Sequence, residues 1–206
     1  MVRRLLLVVS LWMFSQAGWS ASPPVIVVLG DSLSAGFGLQ RGEGWVDLLQ
    51  QRLKQQDYPH RVINASISGD TTGSALARLE QALSHRPAIL IVELGGNDGL
   101  RGLPLNAMET NLRRIIEQGQ RIGAKVLLLG MQIPPNYGPQ YTQGFALTYT
   151  KLAKQTRTSL VPFFLAGLET RRELFLADMI HPNAQGQPQM LNNVWPALLP
   201  MLPPQS

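Results

Sequence analysis

The 206-residue chain contains no cysteine. That excludes disulfides, a thiolate nucleophile and cysteine-ligated zinc. A chain of this length can still bury a sizeable core without cross-links. Charge is also sparse: 15% of residues are Asp, Glu, Lys or Arg against 45% hydrophobic, the balance of a globular chain and not a disordered one. The net charge is +5, yet the basic residues are scattered and adjoin only at Arg3-Arg4, Arg113-Arg114 and Arg171-Arg172. The last two pairs read as solvated helix faces, so no nucleic-acid partner is expected. Several motifs are missing as well. There is no Gly-x-x-x-x-Gly-Lys-Ser/Thr, no His-Glu-x-x-His and no Gly-x-Ser-x-Gly, and the glycines at Gly36, Gly38 and Gly42 miss Gly-x-Gly-x-x-Gly by one residue.

One long apolar run is present, and it lies at the start. Arg3 and Arg4 precede Leu5 to Phe14, and small residues follow at Ala17, Gly18, Ser20 and Ala21. The run is shorter than the roughly 20 residues of a membrane span. This is the plan of a secretory signal peptide over residues 1–20, with a single domain over 21–206; an uncleaved N-terminal anchor is the alternative. Removing 1–20 takes two arginines and no acids, leaving a net charge of +3.

The remainder alternates strand-like and helix-like segments. Strands are expected at 25–29, 61–66, 88–94, 125–131 and 160–164, the last at an edge because it contains Pro162. Helices are expected at 43–56, 71–85, 105–121, 145–157 and 187–199, with Pro188 in the first turn of the last. This alternation implies βαβ units and a parallel sheet, and the continuous apolar strands imply that both faces are covered. No repeat or interdomain linker interrupts it.

Parallel sheets bind ligands beyond the carboxyl ends of their strands. Four of the five ends carry compact polar clusters: Gly30-Asp31-Ser32-Leu33-Ser34, Ser68-Gly69-Asp70, Gly95-Gly96-Asn97-Asp98, and the loop reaching Asp178 and His181. Of the three histidines, His60 and His85 have bland contexts, a polar turn and a helix end. His181 stands three residues after Asp178, a spacing at which a carboxylate can hold the imidazole tautomer. Such a base can activate a hydroxyl. Ser32, at a strand-to-helix turn, is the candidate nucleophile, although serine is also common there as a helix cap. Asn97 offers a side-chain amide to a tetrahedral oxyanion, and Gly69 and Ser32 offer backbone amides.

Together, these four blocks resemble those of the SGNH (GDSL) hydrolases, in order and across nearly the whole chain after residue 20. Gly99-Leu100-Arg101-Gly102 and Pro134-Pro135-Asn136-Tyr137-Gly138 are further similar to the periplasmic thioesterase I/protease I/lysophospholipase L1 (TesA-type) subgroup of Gram-negative bacteria. The resemblance implies an α/β, three-layer α/β/α, flavodoxin-like fold with a five-stranded parallel sheet. It implies a Ser32, Asp178 and His181 triad and an oxyanion hole of Ser32, Gly69 and Asn97. It also implies substrate contacts from Leu100, Arg101, Gly102, Pro134 and Tyr137, with the loop 99–104 closing over acyl chains and 134–141 lining their groove. The activity implied is hydrolysis of acyl esters, thioesters or lysophospholipids by a monomer, without cofactor or metal and without stable membrane insertion, after export to the periplasm in a Gram-negative source. Two other readings stay open on the sequence: a carbohydrate acetyl esterase of the same fold, and a secreted ligand-binding protein without chemistry.

Overall fold

The computed structural model describes residues 22–204; the expected signal peptide lies outside the described residues. The elements follow in the order β1 (Val25–Gly30), α1 (Ser32–Ala35), α2 (Trp45–Gln55), β2 (Arg61–Asn64), α3 (Thr72–Ala77), α4 (Leu79–Leu83), β3 (Ile89–Glu93), α5 (Gly96–Leu100), α6 (Leu105–Arg121), β4 (Lys125–Leu129), α7 (Pro139–Thr156), β5 (Ser159–Val161) and α8 (Gln187–Leu198). The five strands form one parallel sheet in the order β2-β1-β3-β4-β5, which is flavodoxin-like. Helices α2 and α8 pack together on one face; α3, α6 and α7 form the other layer. Ile26 to Leu29 and all of β3 are buried, which explains why these strands read as unbroken apolar runs.

Several elements differ from the sequence expectation: β2 and β4 each end two residues early, a short helix α5 stands where a turn was expected, and three further differences have a clear physical cause. The helix expected over 71–85 is broken at Arg78 (φ −107°, ψ 9°) into α3 and α4. The break lets the Arg78 guanidinium turn inward, where it donates to Asp70 Oδ2 at 2.6 Å, Ala65 O at 2.5 Å and Gly30 O at 3.4 Å. An arginine with three buried or half-buried acceptors outweighs helix continuity. Helix α7 begins at Pro139, not 145, with proline in its first turn after Gly138. Its opening residues are exposed or half-buried, so no apolar stripe announces them. Strand β5 stops at Val161, and Pro162 follows it at the sheet edge, where a missing N–H costs no ladder bond.

The chain leaves β1 toward β2 on one side, and β3 then returns to the other side of β1. This is the switch point of the sheet, where the loops after neighbouring strands part and leave a crevice. Gly30 pairs in register with Glu93, so the segments after β1 and β3 emerge side by side.

Candidate active site

Ser32 is the first residue of α1. The cap is its neighbour Asp31, whose Oδ1 accepts from Leu33 N at 3.1 Å. The Ser32 hydroxyl is thereby left free of capping and meets His181 Nε2 at 2.8 Å. His181 Nδ1 lies 2.7 Å from Asp178 Oδ2. The other Asp178 oxygen accepts from Ile180 N at 2.9 Å and His181 N at 3.0 Å. These backbone N–H groups, His181 first, hold the Asp178 carboxyl down at about 2, together with the imidazole beside it, and they overcome its slight desolvation. The loop is fixed from both sides. Leu176 N donates to His181 O at 2.8 Å, and the buried Gln187 donates to Pro182 O at 2.9 Å while accepting from Trp45 N at 3.0 Å. Phe37, half exposed, lies against the imidazole with ring centroids 4.5 Å apart.

The segment after β2 meets the segment after β3. Gly69 has φ +86°, a left-handed conformation that favours glycine, and its carbonyl accepts from Arg101 Nη2 at 3.0 Å. Asn97 Nδ2 donates to Asp70 O at 2.9 Å and to Asp31 Oδ2 at 3.1 Å. Asp98 is buried and accepts from Thr72 N at 2.8 Å and Thr72 Oγ1 at 2.6 Å, clamping α5 to the start of α3. Gly95 is required on two counts: φ is +111°, and a Cβ there would collide with the Tyr149 hydroxyl.

Ser32 and His181 open onto a cavity of about 720 Å³, within the ordinary range for small-molecule sites. Ser68, Gly69, Gly96 and Asn97 share its wall. Most of the rest is apolar, with Leu100, Ile133, Pro134, Phe163, Leu165 and Ile180 contributing. Of the five residues expected to touch substrate, Leu100 and Pro134 are on this wall. Arg101, Gly102 and Tyr137 are not among its lining residues. Arg101 instead anchors the Gly69 carbonyl, and Tyr137 donates to Leu100 O at 2.8 Å. Tyr141, in the first turns of α7, donates to Leu103 O at 2.7 Å. The segment 134–141 therefore acts partly as a strut for the loop 99–104.

The sequence reading missed Phe163 and Leu165 as cavity walls, because an apolar residue beside a strand reads as core, and Ile180, which stands in the loop between Asp178 and His181. It also missed Glu93, whose signal was plain: a carboxyl inside the apolar run 88–94 must be paired or neutral once buried. Among the described residues no group of three His, Asp or Glu side chains is placed to hold a metal ion. No helix among them is long and apolar enough to cross a membrane.

A doubly wound parallel sheet with a serine, histidine and aspartate joined at its switch point beside an apolar cavity defines a serine hydrolase. The GDSL-like lipase/acylhydrolase family model matches residues 28–188, and the chain belongs to that family. It is 49% identical to the esterase TesA of Pseudomonas aeruginosa, over 88% of this chain and 91% of that protein. It is 40% identical to thioesterase 1/protease 1/lysophospholipase L1 of Escherichia coli K12, over 82% of this chain and 80% of that one. A crystal structure of TesA at 50% identity superposes with a TM-score of 0.84, covering 86% of this chain and 99% of the other. The chain is thus a serine ester hydrolase.

Proposed function

We propose that the protein is a secreted esterase that moves acyl groups from esters and thioesters to water, with Ser32 as nucleophile, His181 as general base and acid, and Asp178 as the group that orients His181. The observation that carries this reading is the unbroken Ser32 Oγ–His181 Nε2 and His181 Nδ1–Asp178 Oδ2 pairing at 2.8 and 2.7 Å, on the wall of a mostly apolar cavity. Ser32 Oγ attacks the acyl carbonyl while its proton passes to His181 Nε2. The carbonyl oxygen becomes an oxyanion, for which the donors are the Ser32 and Gly69 backbone amides and the Asn97 side chain, which keeps its bond to Asp31 and turns to the oxyanion the hydrogen it otherwise places on Asp70 O. His181 then protonates the leaving alkoxide or thiolate, the carbon–oxygen or carbon–sulfur bond breaks, and Ser32 carries the acyl group. Water, deprotonated by His181, attacks that ester, and His181 returns the proton to Ser32 Oγ as the carbon–oxygen bond breaks and the acid leaves. The apolar wall suits an acyl chain better than a sugar. Aryl esters, acyl thioesters and lysophospholipids are the proposed substrate classes, the last two in line with the name of the Escherichia coli relative.

The test uses p-nitrophenyl alkylphosphonates. Ser32 Oγ displaces p-nitrophenolate from phosphorus, and mass spectrometry locates the adduct. One equivalent is expected on the peptide holding Ser32, faster for an octyl than for a methyl phosphonate, by up to about fourfold per buried methylene. An unmodified Ser32 would sink the assignment, and equal rates for the two chains would remove the acyl cavity from it. Export is tested separately: the protein recovered from outside the cytoplasm is expected to begin at Ala21 on N-terminal sequencing, and recovery with residues 1–20 attached would refute cleavage.

A further inference from the structure

The reaction proposed above makes no use of Glu93. This carboxyl ends β3, is fully buried, and lies directly under the segment that carries Ser32. Its Oε2 accepts from Ser34 Oγ at 2.7 Å and from Asp31 N at 3.3 Å, while Oε1 has no hydrogen-bond partner. Ser34 Oγ accepts in turn from Trp45 Nε1 at 3.2 Å. Space is kept for this group: a Cβ on Gly30 would stand 2.8 Å from the Ser34 side chain and 2.9 Å from Glu93 Oε2. Asp31, 2% exposed, is the next link, since its Oδ2 receives the Asn97 amide. One connected network thus runs from Trp45 on α2 through Ser34, Glu93 and Asp31 to Asn97.

We propose that Glu93 is a positioning residue for the oxyanion hole, orienting the Asn97 amide through Asp31 and holding the first turn of α1, with Ser32, through Ser34. The inference rests on the hydrolase reading above. Two neighbouring carboxyls in a buried space cannot both ionise cheaply. Burial, and then the charge of Asp31, push Glu93 well above the usual carboxylate range. Burial also raises Asp31, to about 6, against the opposing pull of Leu33 N, His181, Glu93 and Asn97. Ionisation is opposed more strongly at Glu93 than at Asp31, so a single charge on the pair rests on Asp31 and the shared proton on Glu93. That charge accepts from Asn97 and faces the imidazolium that forms at His181. A second charge would stand beneath the forming oxyanion and oppose it. The other ionisable groups facing the pair have partners of their own. Asp98 is engaged by Thr72, the Arg78 guanidinium reaches Gly30 O, and the Tyr149 hydroxyl, raised by burial and by Glu93, Asp98 and Asp31, donates to Leu94 O at 2.9 Å.

The experiment compares Glu93→Gln and Glu93→Leu with the native enzyme on p-nitrophenyl butyrate, from neutral to alkaline pH. Glutamine keeps an uncharged donor and acceptor, so its kcat is expected within about threefold of native. Leucine removes both links. Removal of an oxyanion donor costs about 10²–10³ in turnover, so a displaced one is expected to cost roughly tenfold or more in kcat, with KM unchanged. Native kcat is expected to fall at alkaline pH as Glu93 ionises, and that fall is expected to vanish in Glu93→Gln. Stability carries the same sign: a raised carboxyl weakens the fold as pH climbs above the usual carboxylate range, so the Glu93→Gln melting temperature should depend less on pH. Infrared difference spectra should show a protonated carboxyl band at neutral pH in the native protein and none in Glu93→Gln. Native kcat in Glu93→Leu, or equal losses in both variants, would overturn the proposal. If Glu93→Leu does not fold, an alkaline fall in Glu93→Gln matching the native one overturns it. An active native enzyme without the infrared band overturns this proposal alone, whereas a native protein that hydrolyses no ester overturns the hydrolase reading beneath it.

Discussion

Replacing Ser32 with alanine is expected to lower turnover of short aryl esters on the order of 10⁵-fold or more, with the fold intact. The loss is large because the hydroxyl is the group removed and the hydrogen-bond partner of His181 Nε2 among the described residues, 2.8 Å away. What remains is attack by water within a site that still offers its donors, and such residual catalysis is small beside the covalent route. The fold should survive because the bonds of the Ser32 carbonyl to Gly36 N and Phe37 N belong to the backbone and are kept by alanine. The cap of α1 belongs to Asp31, whose bond to Leu33 N is untouched, and alanine is a better helix former than serine. Steady-state hydrolysis by purified protein, with melting temperature as the control, measures both halves. A folded Ser32→Ala protein with native turnover would show that the chemistry lies elsewhere.

The second large effect is expected at Asp178. Asp178→Asn keeps the shape and keeps an oxygen for the two backbone N–H groups of Ile180 and His181, so the turn should persist. What changes is the contact 2.7 Å from His181 Nδ1, where an acceptor becomes an N–H donor. Two donors cannot share that bond. The imidazole must place its proton on Nε2, which then donates to Ser32 where it should accept. A loss of about 10⁴ in kcat is expected from the wrong tautomer alone, and phosphonate labelling of Ser32 should slow in parallel. The pH dependence has a definite sign. Asp178 is depressed to about 2, so its contribution to stability is complete above the usual carboxylate pKa, near pH 4, and is lost as pH falls toward 2. Acid unfolding of the native protein should contain that component, and Asp178→Asn should lack it. An Asn variant with native kcat would remove Asp178 from the mechanism.

Much of this arrangement was legible before any coordinates. The alternation of apolar runs and amphipathic stripes implied a parallel sheet, and the rule that ligands gather at strand ends directed attention to Ser32, Gly69, Asn97 and His181. The rest was hidden for physical reasons. The break at Arg78 depends on Asp70, Ala65 and Gly30 being within reach, which no local propensity encodes. The first turns of α7 carry no apolar stripe because they bury little, so its start at Pro139 was missed. Arg101 and Tyr137 stand in loops beside the site, and only the packed chain shows that they brace carbonyls at Gly69 and Leu100 and do not form the cavity wall.

By itself the sequence narrowed the chemistry: it excluded a thiolate and offered His181, three residues from Asp178, as the candidate base for a hydroxyl. It determined the alternation of strands and helices as well, because their periodicity is a local property of the chain. Tertiary structure alone decided that Ser32 is freed from capping by Asp31, that its hydroxyl meets a histidine 149 residues away, and that Glu93 shares a buried pocket with Asp31. Those outcomes turn on distances and dielectric between segments remote in sequence. They exist only once the β1 and β3 ends lie side by side at the switch point and water has been removed from between them.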